Sequence, residues 1–213
     1  MNENTLIAIE GLPFIILFLI LSAVFWYFEA RYLALFLALL MIFTVWFFRN
    51  PERVIPQDPL AVVSPADGKV IIVEKIFEDR FLKADAVKIS IFMNVFNVHV
   101  NRIPFSGKVL GVFYNPGKFF SANLDKASIE NEQNAVLLET ANGKRIVFNQ
   151  IAGLIARRIV CYLKEGDVVE KGKRFGMIRF GSRLDVYLPV ECKINVQVGD
   201  KVKAGSSILG YLK

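Results

Sequence analysis

Two apolar runs, residues 12–28 and 32–48, constrain this chain before anything else does. Each is about 17 residues long, and only Glu29-Ala30-Arg31 separates them. As helices they reach the lower end of what spans a hydrocarbon core of about 30 Å. The polar break fits a tight helical hairpin that returns both ends to one side. Phe25, Trp26 and Tyr27, and then Trp46, Phe47 and Phe48, gather at the ends of the runs as interfacial aromatics do. Arg49 and Arg53 follow the second run and favour the cytoplasmic side for the rest of the chain. A secretory signal is not expected, because there is no basic leader and no small-residue cleavage site. A membrane hairpin is the leading expectation, with a shallowly embedded anchor or a buried soluble helix pair as alternatives. The expected organisation is an anchor and linker start over 1–50 and a second domain over 51–213, with Pro51, Pro56 and Pro59 marking an extended linker.

The charge is divided unequally. Residues 1–48 hold Glu3, Glu10 and Glu29 against Arg31, a net of −2 within a chain of +6, so the body carries +8. An anionic phospholipid surface attracts such a body by about 1 kcal/mol for each nearby Lys or Arg. A soluble basic face looks the same from charge alone. No nucleic-acid partner is expected. Cys161 and Cys192 lack metal-ligand spacing and are too few for a disulfide framework, so reduced thiols in a cytoplasmic domain are expected. His99 is the single histidine of the chain, which rules out most zinc sites and two-histidine mechanisms.

From Ala61 onward short β-branched runs alternate with Gly, Pro, Asn and Asp. Strands are predicted over 69–75, 86–92, 107–113, 135–139, 145–151 and 184–188, with 157–163 ambiguous. Glu165-Gly166-Asp167-Val168-Val169-Glu170-Lys171-Gly172 is echoed by Val198-Gly199-Asp200-Lys201-Val202-Lys203-Ala204-Gly205. This reads as a repeated hairpin in a mainly β, swapped β-sandwich or barrel-like hybrid domain of the biotinyl/lipoyl type. Such an echo hints at a fold and carries no chemistry.

The chemistry points to Gly181-Ser182, between two β-like stretches where a hairpin turn is expected. A Gly-Ser pair alone signifies nothing. It is nonetheless what backbone self-cleavage requires: glycine tolerates a strained carbonyl, and the serine hydroxyl can attack that carbonyl and turn the amide into an ester. Elimination and hydrolysis then leave a pyruvoyl group on the new N-terminus. The run Phe180-Gly181-Ser182-Arg183-Leu184-Asp185-Val186-Tyr187 resembles the processing site of phosphatidylserine decarboxylases in their short archaeal and bacterial form. Further resemblances are Phe48-Arg49-Asn50-Pro51-Glu52-Arg53, Ser64-Pro65-Ala66-Asp67-Gly68-Lys69-Val70 and Asn97-Val98-His99-Val100-Asn101-Arg102-Ile103-Pro104. Asn131-Glu132-Gln133-Asn134 is similar to the family's Asn-Glu-Arg-Asn, with Gln133 in place of arginine.

The resemblance implies cleavage between Gly181 and Ser182 into a β chain of 1–181 and an α chain of 182–213, with the pyruvoyl cofactor made from Ser182. It implies a membrane-bound lyase of phospholipid biosynthesis that decarboxylates a serine-headed phospholipid through a Schiff base. The two chains of one precursor stay partners, and a homo-oligomer is compatible with the sequence. His99 is implied as proton donor, its ordinary pKa lying near neutrality; a structural histidine is its other reading. Asp67 resembles the aspartate of self-processing, although an Asp-Gly turn-former has the same sequence. Longer bacterial members have a second histidine where this chain has Arg102, and an arginine is no general base. Arg102 is expected instead to bind the substrate carboxylate or phosphate. Gly205-Ser206 is expected to be an ordinary turn. Two rival readings fail on composition. A lipoyl or biotinyl carrier needs a displayed Met-Lys-Met, and a membrane-anchored export adaptor needs a long heptad hairpin. A catalytically inactive relative differs from the enzyme in staying one chain.

Overall fold

The computed structural model describes residues 5–117, 131–153, 158–179 and 182–212, in two compact units, Asn2–Glu52 and Arg53–Lys213. In the first unit a 3-10 turn (Ile9–Gly11) leads into α1 (Leu12–Tyr27), and α2 (Arg31–Phe47) returns beside it. Glu29, at a φ of +61°, makes the tight reversal between them. The open end is closed by pairing: Ala8 N–H donates to the Phe48 carbonyl at 2.8 Å, Asn50 N–H to Leu6 at 2.7 Å, and Asn50 Nδ2 to Thr5 at 2.8 Å. A Cβ on Gly11 would stand 2.5 Å from the Phe48 ring, so only glycine allows this approach. No residue of α1 is buried, and Leu17, Ile20, Phe36 and Leu39 lie open on the two helices. The segment Ile9–Tyr27 is long and apolar enough to cross a membrane, while Arg31–Phe47 is apolar but shorter.

The second unit is mainly β, as the sequence predicts. Its long strands are β2 (Gly68–Glu78), β3 (Ala84–Met93), β5 (Gly107–Asn115), β6 (Gln133–Glu139), β7 (Arg145–Ala152) and β11 (Ser182–Pro189). The short ones are β1 (Ala61–Val63), β4 (Val100–Arg102), β8 (Ile159–Cys161), β9 (Val168–Val169), β10 (Arg174–Ile178), β12 (Lys193–Ile194), β13 (Lys201–Val202) and β14 (Ile208–Tyr211). Among the described residues they form a curled sheet in the order β13-β2-β3-β11-β7-β6-β5-β9 and two small sheets, β1-β14-β12 and β4-β10-β8. Every pairing is antiparallel.

The order of the large sheet is a palindrome about the β11/β7 junction, and the two echoed segments are its matching outer edges. Gly166 N–H donates to Val109 and Gly199 N–H to Val70, both at 2.9 Å, while the carbonyls of Asp167 and Asp200 accept from the same two valines. Each aspartate carboxylate also caps its own turn, from Lys164 N–H and Gln197 N–H. Gly166, Gly172, Gly199 and Gly205 all have positive φ. The echo is therefore not a hairpin closed on itself: β9 and β13 pair with the remote strands β5 and β2. The strands flanking the Gly181-Ser182 pair do not form a hairpin with each other either. The strands on its two sides belong to different sheets, β10 bonding to β4 and β8 while β11 bonds to β3 and β7. Gly205-Ser206 does lie in a turn, with Ser206 N–H on the Lys203 carbonyl.

Both faces of β11 are buried. Leu184, Val186 and Leu188 pack with Val87, Ile89, Ile91 and Met93 in the main core. The opposite face carries Arg183 and Asp185, both 0% exposed. They are joined by Nε to Oδ1 at 2.6 Å and Nη2 to Oδ2 at 3.0 Å, and Arg183 Nη2 also donates to Ser90 Oγ. A charge left alone at such a site is costly.

Two stability measurements test these assignments. Asp185→Ala should destabilise the unit by about 3–5 kcal/mol in chemical denaturation, and the double change Arg183→Met/Asp185→Leu by much less. Gly199 has open space around its Cβ position and a φ of +104°. Gly199→Ala should therefore cost about 1–2 kcal/mol from backbone strain alone, read as a lowered Tm.

Candidate active site

Four strand ends meet at one edge of the large sheet: the start of β2, the end of β3, the start of β11 and the end of β7. The register sets Ser182 opposite Met93 on one side and Ala152 on the other. Ser182 is completely buried, and its Oγ donates to Met93 Sδ at 3.4 Å. A thioether is a weak acceptor, so the hydroxyl is held without being strongly polarised. Gly181, the other half of the expected cleavage site, lies outside the described residues.

His99 stands immediately before β4 and is fully buried. Its Nδ1 lies 3.0 Å from the Asn97 carbonyl. Because a carbonyl only accepts, Nδ1 carries the hydrogen, and Nε2 is the nitrogen that can exchange a proton. The His99 carbonyl takes the N–H of Ile178 at 3.4 Å, so the histidine is tied to the strand that leads towards Ser182.

Asp67 is engaged elsewhere. Its carboxylate accepts from Arg53 Nη2 at 2.8 and 3.1 Å and from Ala204 N–H at 2.8 Å. Asp67 and Ser182 are separated by the width of β3, about 10 Å across three strands. The pseudo-symmetric position is instructive: Ser106 Oγ accepts from Lys171 N–H at 2.9 Å, as Asp67 does from Ala204. Capping the turn is thus common to both halves, and the pairing with Arg53 is what distinguishes Asp67. Arg102 is 6% exposed, donates from Nη1 to the Gly172 carbonyl at 2.8 Å and packs against Gly205. Ser182 thus stands between Met93 and Ala152, His99 beside the end of β10, and Asp67 and Arg102 at the glycine turns.

A set of buried amides that the sequence reading passed over lies behind Ser182. Asn101 Nδ2 donates to Met93 Sδ at 3.9 Å, the same sulfur that holds the serine hydroxyl. Gln150 Nε2 donates to Asn101 Oδ1 at 2.9 Å, and Asn134 Nδ2 to Gln150 Oε1 at 3.3 Å. Asn131 Nδ2 reaches the carbonyl of Ala152, directly opposite Ser182, at 2.7 Å. Asn131 and Asn134 belong to the segment Asn131-Glu132-Gln133-Asn134, whose resemblance could have flagged them. At the substituted position, Gln133 Oε1 accepts from Arg80 Nη1, which brings a guanidinium there from another strand end. Burial pushes the Cys161 thiol, hydrogen-bonded to Asn134, above its ordinary pKa. A cleft of about 740 Å³, lined by Lys144, Lys171 and Lys173, opens by the Thr140–Lys144 turn, at the other end of β6 and β7 from Ser182.

The sequence pattern of the phosphatidylserine decarboxylase family matches residues 40–210. A phosphatidylserine decarboxylase proenzyme of Syntrophus aciditrophicus is 58% identical over 212 residues, covering 99% of each chain. Proteins of the same name from Desulfotalea psychrophila and Geotalea uraniireducens are 51% identical over 206 residues and 52% identical over 211. The alignments cover 97% and 99% of this chain and 96% and 99% of those proteins. With a decarboxylase family matched from the second apolar helix to β14, the chain belongs to the phosphatidylserine decarboxylases.

Proposed function

We propose that this chain decarboxylates phosphatidylserine, or its ether-lipid counterpart archaetidylserine, with a pyruvoyl group made from its own Ser182. The observation that carries the reading is the position of Ser182. It is a buried hydroxyl at the first residue of a strand held on both sides, following a crossover between sheets. Its Oγ adds to the carbonyl carbon of residue 181, the C–N bond breaks, and the hydroxyl proton ends on the released nitrogen. Loss of the Cα proton then expels the residue 181 carboxylate, and water replaces the nitrogen as ammonia leaves. The resulting group occupies no more room than the serine it replaces, so it fits in the same place between Met93 and Ala152. Once formed it supplies an electron-accepting carbonyl.

His99 is proposed as the residue that delivers a proton to substrate, through Nε2, while Nδ1–H stays on the Asn97 carbonyl. Asp67 is proposed to serve processing by holding the start of β2 against Arg53 and Ala204. The first unit is proposed as a hairpin in the cell membrane, with the β unit on the cytoplasmic side, where Arg49 and Arg53 favour it. The proenzyme name of the relatives supports processing into two chains.

Intact-mass measurement of the purified full-length protein tests the central step. Wild type should separate into 1–181 and 182–213, and Ser182→Ala should stay whole and release no CO2 from a serine lipid; a split Ser182→Ala chain would overturn the assignment. His99→Ala should lower CO2 release by about 10²–10⁴-fold.

Arg102 is proposed to bind the anionic part of the lipid, with bracing of β4 as the rival role. If it binds lipid, Arg102→Ala should cleave normally and lose turnover. A variant that loses cleavage as well is braced, and the binding role falls.

A further inference from the structure

The turn between β3 and His99 is braced, and it holds an aromatic side chain out to the surface. Asn94 N–H donates to Asn97 Oδ1 and Phe96 N–H to Asn94 Oδ1, both at 2.9 Å, while Asn97 N–H reaches the Asn94 carbonyl at 3.0 Å. Each asparagine thus secures the other's end of the turn, as short polar side chains do. The turn starts directly after Met93, whose sulfur receives the Ser182 hydroxyl, and its Asn97 carbonyl holds His99 Nδ1. In this fixed frame Phe96 is 65% exposed.

A second exposed aromatic lies along the same edge of the large sheet. From Ser182 the ladder passes to the end of β7, the start of β6 and the end of β5, where Tyr114 is 60% exposed. Tyr114 Oη donates to Glu132 Oε1 at 3.1 Å, and the same oxygen accepts Ile159 N–H at 3.4 Å. The exposed Arg158 therefore stands on this flank too. Phe96 follows β3 on one side of Ser182, and Tyr114 ends β5 on the other. An exposed aromatic by itself is ordinary: Phe77, at the opposite end of β2, is 62% exposed.

What sets Phe96 and Tyr114 apart is the edge they flank. A diacyl lipid keeps its chains in the bilayer, and its serine headgroup is short. Residue 182 opens β11 at this edge, so this edge has to meet the headgroup layer. Aromatic rings suit the boundary between headgroups and chains, and an arginine suits anionic headgroups. Resting on Ser182 as the source of the reactive carbonyl, we propose that Phe96 and Tyr114, with Arg158, form a docking rim that seats the Ser182 edge of the β unit on an anionic lipid bilayer, a contact separate from the apolar hairpin.

The test uses full-length protein and two substrates: phosphatidylserine in vesicles, and dihexanoyl phosphatidylserine held below its micelle concentration. CO2 release is compared per split chain, counted by intact mass. Phe96→Ala removes most of one aromatic side chain from the lipid boundary and should lower the ratio of vesicle to monomer turnover roughly tenfold. Phe77→Ala should leave that ratio as in wild type. A second measurement reads the contact without turnover. In a chain with Trp26→Phe and Trp46→Phe, the indole introduced by Phe96→Trp should be quenched by phosphatidylglycerol vesicles brominated on their acyl chains, and one introduced by Phe77→Trp should not. The inference is overturned if Phe96→Ala leaves the ratio unchanged, if Phe77→Ala lowers it equally, or if the indole at position 96 is not quenched. A wild-type chain that neither splits nor releases CO2 from either lipid defeats the reading beneath it instead, and the quenching is then still read on its own.

Discussion

The placement of β11 between β3 and β7 is the constraint on which the rest depends. Eight consecutive residues, Ser182 to Pro189, are registered against β3 and six of them against β7. A slip of one residue would exchange the two faces of the strand. It would drive Arg183 and Asp185 into the aliphatic core and carry Leu184 and Val186 to the ion-pair layer. The buried pair is thus useful for its intolerance of any other register. As a consequence the position of residue 182 is fixed by the whole strand, not by its own contacts.

The palindrome explains the division of labour around that residue. In both halves a Pro-x-x-Gly-Lys-Val segment, 65–70 and 104–109, runs into a long strand, and a side chain two positions after the proline caps the opposing glycine turn. Symmetry supplies the frame, and departures from it mark what is particular. One half has aspartate and a guanidinium partner where the other has serine. Only one half has a histidine ahead of its short strand. Asp67 and Ser106 therefore sit on equivalent scaffolding, and His99 stands beside the end of β10 because β4 and β10 pair directly.

Much of this was legible in the sequence. The six long strands follow β-branched runs, each extending the predicted span by one to three residues at one or both ends, because backbone pairing continues past the last apolar side chain. The two apolar helices and their polar break could be read directly. The echo gave the positive-φ glycines but not their pairing, since a two-residue strand such as β9 has no periodicity and takes its partner from the tertiary fold. The proline-glycine-lysine repeat was visible and went unread, being shorter than the noise of turn-forming residues. At the site, a resemblance singled out Ser182 and His99. Asn101 and Asn134 lie in resembling segments without standing out there, and Gln150 lies in none: amide side chains are ordinarily exposed, and only the folded arrangement shows three of them buried in series.

The topology also settles what a cut before Ser182 does to the fold. The segment from 182 onward has no core of its own. Its first strand lies between β3 and β7, β13 extends the edge formed by β2, and β14 is the centre of a small sheet with β1 on one side. Its apolar residues, Leu184, Val186, Leu188, Val202, Leu209 and Leu212, are distributed through the same cluster as those of the preceding strands. Removing one covalent bond therefore changes neither the ladders nor the burial that hold this segment, and the loss of chain connectivity is offset by four strands of antiparallel pairing. An interwoven fold of this kind would keep its shape with the backbone cut at that point, whereas a fold with the terminal segment packed as a separate hairpin would let the cut piece dissociate.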